Sequence, residues 1–203
     1  MKLYMSGNSP YGRRARVAAR EGGLMDRIEE VFIKSFDDLL VLGPGGKIPI
    51  LVTDTGVSLC ESLIITRYFD DLSGGKLLPR DPQEKLACVA LESVACVLMD
   101  SMFVRSMEKN QRDQALRSEA VLTRESKRAQ RCYDVLEQAV ARNDAVMREG
   151  AAITLASIAV ISSLGYANWR HPEDEWRTDR PQLAACYDRL MLRESFSETA
   201  PVF

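Results

Sequence analysis

Ser9 stands between a short apolar segment, residues 2–5, and a helix-like segment, residues 11–22. Pro10 follows it at the first helical position, where the missing N–H of proline removes no hydrogen bond. The free backbone N–H groups of a helix N-terminus favour negative charge, so they stabilise a thiolate as readily as a carboxylate. Ser9 is therefore either a plain helix cap or a hydroxyl that stabilises an anionic sulfur.

Two other short segments of the first half carry groups of a similar kind. In KIPI, residues 47–50, Pro49 cannot donate to a β-ladder and so belongs at a strand edge or a special turn. If the Ile48–Pro49 bond is cis, the Ile48 backbone is free to pair with an extended peptide. Glu61 and Ser62 suit the ammonium and the carboxylate of an α-amino acid, although plain helix capping also explains them. Together the three segments predict a groove for a small thiol peptide.

The elements that must position these residues divide the sequence into two parts. Residues 1 to about 78 alternate strand-like and helical segments in the order βαβ, then ββα, which predicts an α/β unit with a mixed four-stranded sheet. The stretch LSGGKLLPRDP, residues 72–82, indicates a linker. Beyond it, four helical segments predict an all-α helical bundle: 83–109, 115–142, 154–168 and 181–193. We therefore expect domains at 1–78 and 79–203.

Composition and charge exclude several classes of protein. The chain has 27 basic and 29 acidic side chains and a formal net charge of −2, so no global field recruits nucleic acid or an anionic membrane. No apolar run approaches the ~18 residues of a membrane span. The five cysteines are unpaired in spacing and no signal-peptide pattern opens the chain, so we expect a reducing cytoplasm without a disulfide framework. We expect no metal site, and we expect His171 and Arg13 at the surface.

The sequence resembles the cytosolic glutathione S-transferases, in particular the bacterial group with a serine at the active centre. SPYGRRARVAARE, residues 9–21, is similar to that family's first strand–helix junction, and GGKIPILVTDTGVSLCES, residues 45–62, to its cis-proline and Glu-Ser motif. ITLASIAV, residues 153–160, and the segment from residue 171 onward resemble its second domain. The resemblance implies a thioredoxin-like N-terminal domain, a helical C-terminal domain and a homodimer. Ser157 replaces the family's usual aspartate, so we expect a weaker helix cap at Thr154.

The resemblance also implies roles for individual residues. The positions matching the glutathione site are Ser9 for the sulfur, Ile48 for the cysteinyl backbone, Pro49 as the cis-proline, Glu61 and Ser62 for the γ-glutamyl group, and Lys34 near the glycyl end. Tyr4 and Tyr11 are rival hydroxyls, because other transferase classes use a tyrosine near the first strand. The second substrate is expected to be a small hydrophobic electrophile, held by Tyr11, Met102, Phe103 and Arg105. A methionine–aromatic stripe at that spacing equally fits a helix core.

The activity that the resemblance implies is conjugation of glutathione, bound as a thiolate, to small electrophiles, as in detoxification. Glutathione is then a co-substrate, and no further cofactor is expected. One alternative is a non-catalytic glutathione-binding or protein-interaction module with the same fold. Another is a glutathione-dependent reductase, which Ser9 disfavours because disulfide exchange needs a sulfur, and which Cys60 beside Glu61 keeps open.

Overall fold

The chain folds into a sheet-containing N-terminal half and a helical C-terminal half. The computed structural model describes residues 1–35, 37–142, 144 and 147–201. The strands are Lys2–Met5 (β1), Glu29–Phe32 (β2), Ile50–Val52 (β3) and Ser58–Cys60 (β4). The helices of the N-terminal half are Pro10–Glu21 (α1), Asp37–Leu40 (α2) and Ser62–Leu72 (α3), and those of the C-terminal half are Pro82–Asn110 (α4), Glu119–Ala141 (α5), Leu155–Arg170 (α6), Pro181–Met191 (α7) and Glu194–Ser197 (α8). This order confirms the predicted fold class, and the boundary at residue 78 stays a prediction.

The sheet is mixed, as the βαβ and ββα order predicts. Its strand order is β2-β1-β3-β4, with β1 parallel to β2 and the β1–β3 and β3–β4 pairs antiparallel. The parallel pair needs a crossover, which α1 supplies, whereas the short TDTG turn after Val52 joins an antiparallel hairpin. Leu3 and Met5 are fully buried and the intervening Tyr4 is only half-buried, because alternate side chains of a strand point to opposite faces.

Helix α1 is buried on nearly every side. Ala15, Ala18 and Ala19 are fully buried, since small side chains let the helix pack closely; α1 contacts α3 on one side and α6 and α8 on another. Gly23 follows the helix with φ of 70°, a left-handed conformation that glycine adopts without a Cβ penalty. The predicted apolar face is correct, but the helix also buries residues that the sequence pattern assigns to solvent.

Arg13 is one of these residues, so its predicted surface position is wrong. Its side chain crosses into the C-terminal half, where Nη2 donates to the Phe196 carbonyl at 2.9 Å. The guanidinium lies over Gly165 of α6, where a Cβ would overlap it. The close passage is possible because α6 has no side chain at this position.

Helix α4 is the central helix of the C-terminal half. It packs along α5 and α6, and Leu98 and Met99 are fully buried. By length and composition alone α4 is long and apolar enough to cross a membrane, so the expectation that no stretch reaches that length is wrong. Packing inside the helical half buries 44% of the apolar stretch of this helix.

The start of α6 carries the predicted cap in a complete form. The Ser157 backbone N–H donates to Thr154 Oγ1 at 3.2 Å, and the Thr154 backbone N–H donates to Ser157 Oγ at 2.9 Å. Serine thus closes the reciprocal capping box that glutamate or glutamine usually closes. Ile153 and Ile158 are buried beside it, as a hydrophobic staple requires. The box is therefore complete, and the lower strength expected for this cap stays a prediction.

His171 is fully buried, so its predicted surface position is also wrong. Its Nε2 lies 2.9 Å from the Met102 carbonyl and 3.1 Å from Ser106 Oγ. The polar turn Pro172–Asp174 folds back onto α4, where Arg105 pairs with Asp174. Burial, together with the nearby Arg105 cation, lowers the pKa of His171, so the ring is neutral at pH 7.

Candidate functional site

The register of the sheet brings the candidate glutathione-site residues to one edge. Met5 pairs with Phe32, Tyr4 with Ile50, and Ile50 with Cys60. The segments that follow β1, β2 and β4 and the segment that precedes β3 therefore all leave the sheet at the same edge. These segments contain the residues predicted from the sequence: Lys34 after β2, Ser9 after β1, Ile48 and Pro49 before β3, and Glu61 and Ser62 after β4.

Ser9 is the N-cap of α1, and within the part of the chain that the structure describes its hydroxyl donates no hydrogen bond. The Ser9 side-chain oxygen accepts from the Gly12 backbone N–H at 3.1 Å, and the side chain is half-buried. A hydroxyl that accepts one hydrogen bond can still donate its own proton. The first turn of α1 contains no acidic residue, so the positive end of the helix is not compensated from within. The position suits an anionic ligand atom that accepts from Ser9.

The Ile48–Pro49 peptide bond is cis, as the resemblance to the transferase family implies. Pro49 is buried and Ile48 is half-buried. Pairing of β3 with its neighbours starts at Ile50, and among the described residues no backbone hydrogen bond involves Ile48. The Ile48 N–H and C=O are thus available to an extended peptide, in the manner of an added strand.

Glu61 and Ser62 form a second helix N-terminus at this edge, at the start of α3. Glu61 has φ of 70°, a conformation that is unfavourable for a residue with a side chain and is often found at binding sites. Its exposed side chain does not cap the helix. The Ser62 side chain is buried and makes no hydrogen bond within the described chain. A free hydroxyl beside uncapped amides suits a carboxylate, and the Glu61 carboxylate suits an ammonium group.

Tyr11 faces the other half of the protein. Its hydroxyl donates to Asp100 Oδ1 on α4 at 2.6 Å, and its ring meets Phe103 edge-on, with centroids 5.7 Å apart. Burial and the hydrogen bond to Asp100 raise the pKa of Tyr11 well above its ordinary value. Its single proton is committed to Asp100, and Tyr4 lies in mid-strand rather than beyond the edge. Of the three hydroxyls, that of Ser9 is the one placed to donate a hydrogen bond to a ligand beyond the strand ends.

Two residues assigned to the second-substrate pocket lie in the interior instead. Met102 is fully buried, and its sulfur accepts from the Tyr133 hydroxyl at 3.6 Å. Arg105 is 3% exposed and holds Asp174 through two hydrogen bonds of 2.7 and 2.8 Å. Their inclusion in the pocket is wrong, because both point to the face of α4 that packs against other elements. Tyr11 and Phe103 remain half-buried between the halves.

A buried ion triad, which the sequence analysis missed, fixes the two halves next to this site. Glu92 of α4 accepts from Arg14 of α1 and from Arg67 of α3. Glu92 and Arg14 are almost completely buried, and Arg14 also donates to Cys96 Sγ at 3.2 Å. From the sequence alone, charged residues on helices are expected to be exposed to solvent. The triad is visible only once the structure brings these distant segments together.

Two surface recesses lie away from the sheet edge. One of about 650 Å³ lies between the end of α1 and the α7–α8 region, and one of about 320 Å³ lies between the segment before α6 and α7. Neither is lined by a residue of the sheet edge. The candidate site is therefore defined by the strand ends and the two helix N-termini, and not by either of these recesses.

Comparison with known proteins gives relatives along the whole chain. Residues 8–72 match the family described as glutathione S-transferase, N-terminal domain. The uncharacterized GST-like protein YibF of Escherichia coli (strain K12) is 34% identical over 203 residues, covering 99% of this chain and 98% of that protein. A glutathione transferase family member from Pseudomonas fluorescens Pf-5, solved with bound glutathione, is 31% identical with a TM-score of 0.91, covering 100% of this chain and 99% of that chain.

The Pseudomonas fluorescens protein has also been solved with bound S-(propanoic acid)-glutathione, with a TM-score of 0.88, 31% identity and complete coverage of both chains. Sequence similarity and fold agree with these relatives over both halves of the molecule. The chain belongs to the glutathione S-transferase family.

Proposed function

We propose that this protein binds glutathione as a thiolate along the sheet edge and conjugates it to small electrophiles. The observation that carries the proposal is the order of groups along this edge. From β4 through β3 and β1 to β2, the edge offers an amino-acid clamp, a free backbone, a hydroxyl at a helix N-terminus and a lysine. The same order runs through glutathione: γ-glutamyl group, cysteinyl backbone, sulfur and glycyl carboxylate.

The dimensions support this assignment. Neighbouring strands lie about 4.8 Å apart, so the edge from β4 to β2 spans roughly 14 Å. An extended peptide covers about 3.5 Å per residue, and the γ-linkage adds the length of a glutamyl side chain. Glu61 and Ser62 then hold the γ-glutamyl ammonium and carboxylate, Ile48 pairs with the cysteinyl backbone, and Lys34 faces the glycyl carboxylate.

Ser9 is the residue that we assign to thiol activation. A thiol of pKa near 8.5 is only about 3% ionised at pH 7. Donation by the Ser9 hydroxyl and the positive end of α1 both favour the thiolate over the thiol. Each unit by which the thiol pKa falls corresponds to about 1.36 kcal/mol of preferential stabilisation. Ser9 is thus an electrostatic stabiliser and forms no covalent bond.

The reaction needs no further reactant. In substitution, the sulfur lone pair forms the C–S bond while the leaving group departs with the bonding electron pair. When the electrophile is an activated alkene, the sulfur lone pair adds to one alkene carbon and forms the C–S bond. The π electrons move to the adjacent carbon, and that carbon takes a proton from water. The proton lost by the thiol passes to solvent through the open groove.

Replacing Ser9 by alanine tests the assignment. A hydrogen bond to a charged group contributes about 1.5–3 kcal/mol, so we expect Ser9→Ala to lower kcat/KM roughly 10- to 150-fold. We also expect the thiol pKa, read from the pH dependence of thiolate absorbance in the complex, to rise by one unit or more. Ser9→Thr keeps the hydroxyl and should keep most activity.

The control separates activation from helix capping. Ser118 caps α5 through its hydroxyl, which accepts from the Val121 N–H at 3.4 Å, so Ser118→Ala removes a comparable cap far from the site. Full activity and an unchanged thiol pKa in Ser9→Ala would refute the role of Ser9. Tight glutathione binding without turnover of any electrophile would favour the non-catalytic module, and disulfide reduction that disappears in Cys60→Ser would favour the reductase.

We further propose a homodimer and a cytoplasmic location. Leu63 and Ile64 of α3 and Leu86 and Val97 of α4 are exposed apolar residues, and a second copy of this chain would cover them. All five cysteines are free thiols, which suits a reducing compartment. Sedimentation of the wild type and of Ile64→Lys tests the dimer: a monomeric wild type would contradict it, and dissociation by the lysine would support it.

A further inference from the structure

Helix α4 carries one exposed charge next to its contact with Tyr11 of α1. Between Ser93 and Ser106 this helix carries two charged side chains, Asp100 and Arg105. Arg105 is buried against Asp174, whereas Asp100 is exposed. Within the part of the chain that the structure describes, no lysine or arginine forms an ion pair with Asp100. Asp100 is therefore an exposed carboxylate without a cationic partner among the described residues, and it lies where Tyr11 of α1 contacts α4.

Two aromatic rings stand next to this carboxylate. Tyr11 donates its hydroxyl proton to Asp100 Oδ1 at 2.6 Å, which fixes the carboxylate and leaves Oδ2 free. The rings of Tyr11 and Phe103 are nearly perpendicular, at 83°, with centroids 5.7 Å apart. Exposed Val104 and Met107 continue the same surface along α4. The wall is thus apolar and aromatic, with one fixed negative charge.

Tyr11 connects this wall to the proposed thiolate site. It lies two residues after Ser9 in the first turn of α1, so Asp100 lies about one tyrosine side chain away from that turn. An electrophile placed for attack by a sulfur at Ser9 would contact this wall with the part of the molecule away from the reacting carbon. Groups at that end of the electrophile decide which substrates fit.

We propose that Asp100, Tyr11 and Phe103 select electrophiles that carry an ammonium group on an aromatic or apolar body. The proposal rests on the proposed function and names the substrate class of that site. A carboxylate together with differently oriented aromatic faces is the combination that recognises quaternary and primary ammonium groups. The carboxylate supplies attraction between opposite charges, the rings contact the N-methyl groups, and Val104 and Met107 contact the apolar body.

The chemistry also excludes other charges at this position. An anionic electrophile would face Asp100 as a like charge, because the one cation on this stretch of α4, Arg105, is buried and paired with Asp174. A neutral electrophile would lose only the electrostatic part of the interaction. A substrate that carries a carboxylate is therefore compared with the cationic substrate in the test. The comparison is useful because the Pseudomonas fluorescens relative was solved with a propanoic acid conjugate of glutathione.

The test uses three benzyl chlorides that share the reacting carbon and differ in the para substituent. One carries trimethylammoniomethyl, one its neutral isostere neopentyl, and one carboxymethyl. For the wild type we expect kcat/KM roughly tenfold higher for the cation than for the isostere, from an exposed charge pair plus cation–π contact. The carboxylate compound should be the slowest of the three.

Asp100→Asn removes the charge and keeps an oxygen that accepts from Tyr11. We expect this variant to reduce the preference for the cation to about threefold, the share left to the aromatic rings. Glu84→Gln is the matched control, because it removes an exposed charge from the same helix 16 residues away, a distance of about 24 Å. The preference of this control should equal that of the wild type.

The outcomes separate this inference from the proposed function. Conjugation of the neutral isostere without preference for the cation, or an equal preference in Asp100→Asn, would overturn the inference and leave the transferase assignment intact. If none of the three compounds reacts, calorimetry with benzyltrimethylammonium still decides: binding to the wild type that weakens in Asp100→Asn supports the site, and no binding overturns it.

Discussion

Replacing Glu92 by glutamine should strongly destabilise the protein, because it breaks the ion triad between the two halves. The Glu92 side chain is 1% exposed and the Arg14 side chain 2% exposed, whereas Arg67 is 30% exposed. Both carboxylate oxygens are used, one by each arginine. Glutamine keeps the shape but offers one acceptor and one donor, so one guanidinium would face an N–H group.

The magnitude follows from burial of the unpaired charge. Removing one partner of a buried ion pair typically costs about 3–5 kcal/mol, because an uncompensated charge stays in the interior. The two arginine charges would also repel each other once the carboxylate between them is gone. Water reaches Arg67 and screens part of this repulsion. We therefore expect a loss of about 3–5 kcal/mol, a large share of the 5–15 kcal/mol of a typical domain.

Urea unfolding followed by far-ultraviolet circular dichroism measures this loss. Asp188→Asn is the control, since it breaks the surface pair with Arg177, whose partners are 39% and 61% exposed, and should cost less than about 1 kcal/mol. A similar small loss in Glu92→Gln would refute the reasoning. If that variant fails to fold, a triple variant with leucine at Glu92 and methionine at both arginines should restore folding, because apolar replacement of a whole buried ion cluster is often neutral or stabilising.

Three further predictions follow from single residues. Ser62→Ala should weaken glutathione binding roughly tenfold by calorimetry while kcat changes less, since the hydroxyl meets a carboxylate that does not react; equal loss in kcat would contradict this. The lowered pKa of His171 means that unfolding takes up a proton below pH 6.5, so stability should fall by up to about 1.4 kcal/mol per pH unit as the pH drops below that value. Urea midpoints should show this slope, and His171→Gln should lack it. Gly165→Ala should cost about 1–3 kcal/mol by overlap with the Arg13 guanidinium, whereas helix propensity alone predicts a gain of up to about 1 kcal/mol; a higher melting temperature would contradict the observed packing.

The residues at the sheet edge were predictable because each lies at the start of a helix or a strand, where the neighbouring sequence determines the backbone conformation. Ser9 and Pro10 begin a helix directly after a strand, and Pro49 sits where a strand begins, so neighbouring sequence fixes their backbone positions. Pairing rules for βαβ and ββα units then bring strand ends to one edge without knowledge of the side chains. The candidate glutathione site is therefore visible in the order of elements.

The contacts between the halves were not predictable in the same way. Arg13 reaches Phe196 across 183 residues of sequence, and His171 reaches Met102 across 69. Each is a polar residue among polar sequence neighbours, a pattern that predicts exposure to solvent. Each is buried instead, because a segment distant in sequence supplies its hydrogen-bond partner. The contact of Asp100 was equally unpredictable from the sequence. An acidic residue on a long helix gives no sign that Tyr11, from a distant segment, donates a hydrogen bond to it.

Helix α1 explains why these unpredicted contacts matter for chemistry. Its N-terminus and Ser9 face the proposed sulfur position, and Tyr11 in its first turn bonds to the wall of α4. Two further positions on the same helix, Arg13 and Arg14, hold the C-terminal half through buried guanidinium groups. A helix is stiff over this length, so fixing the arginines also fixes the distance between the hydroxyl at its cap and Asp100. In the proposed reaction, the buried charges would thus set the position of the electrophile relative to the thiolate without touching either substrate.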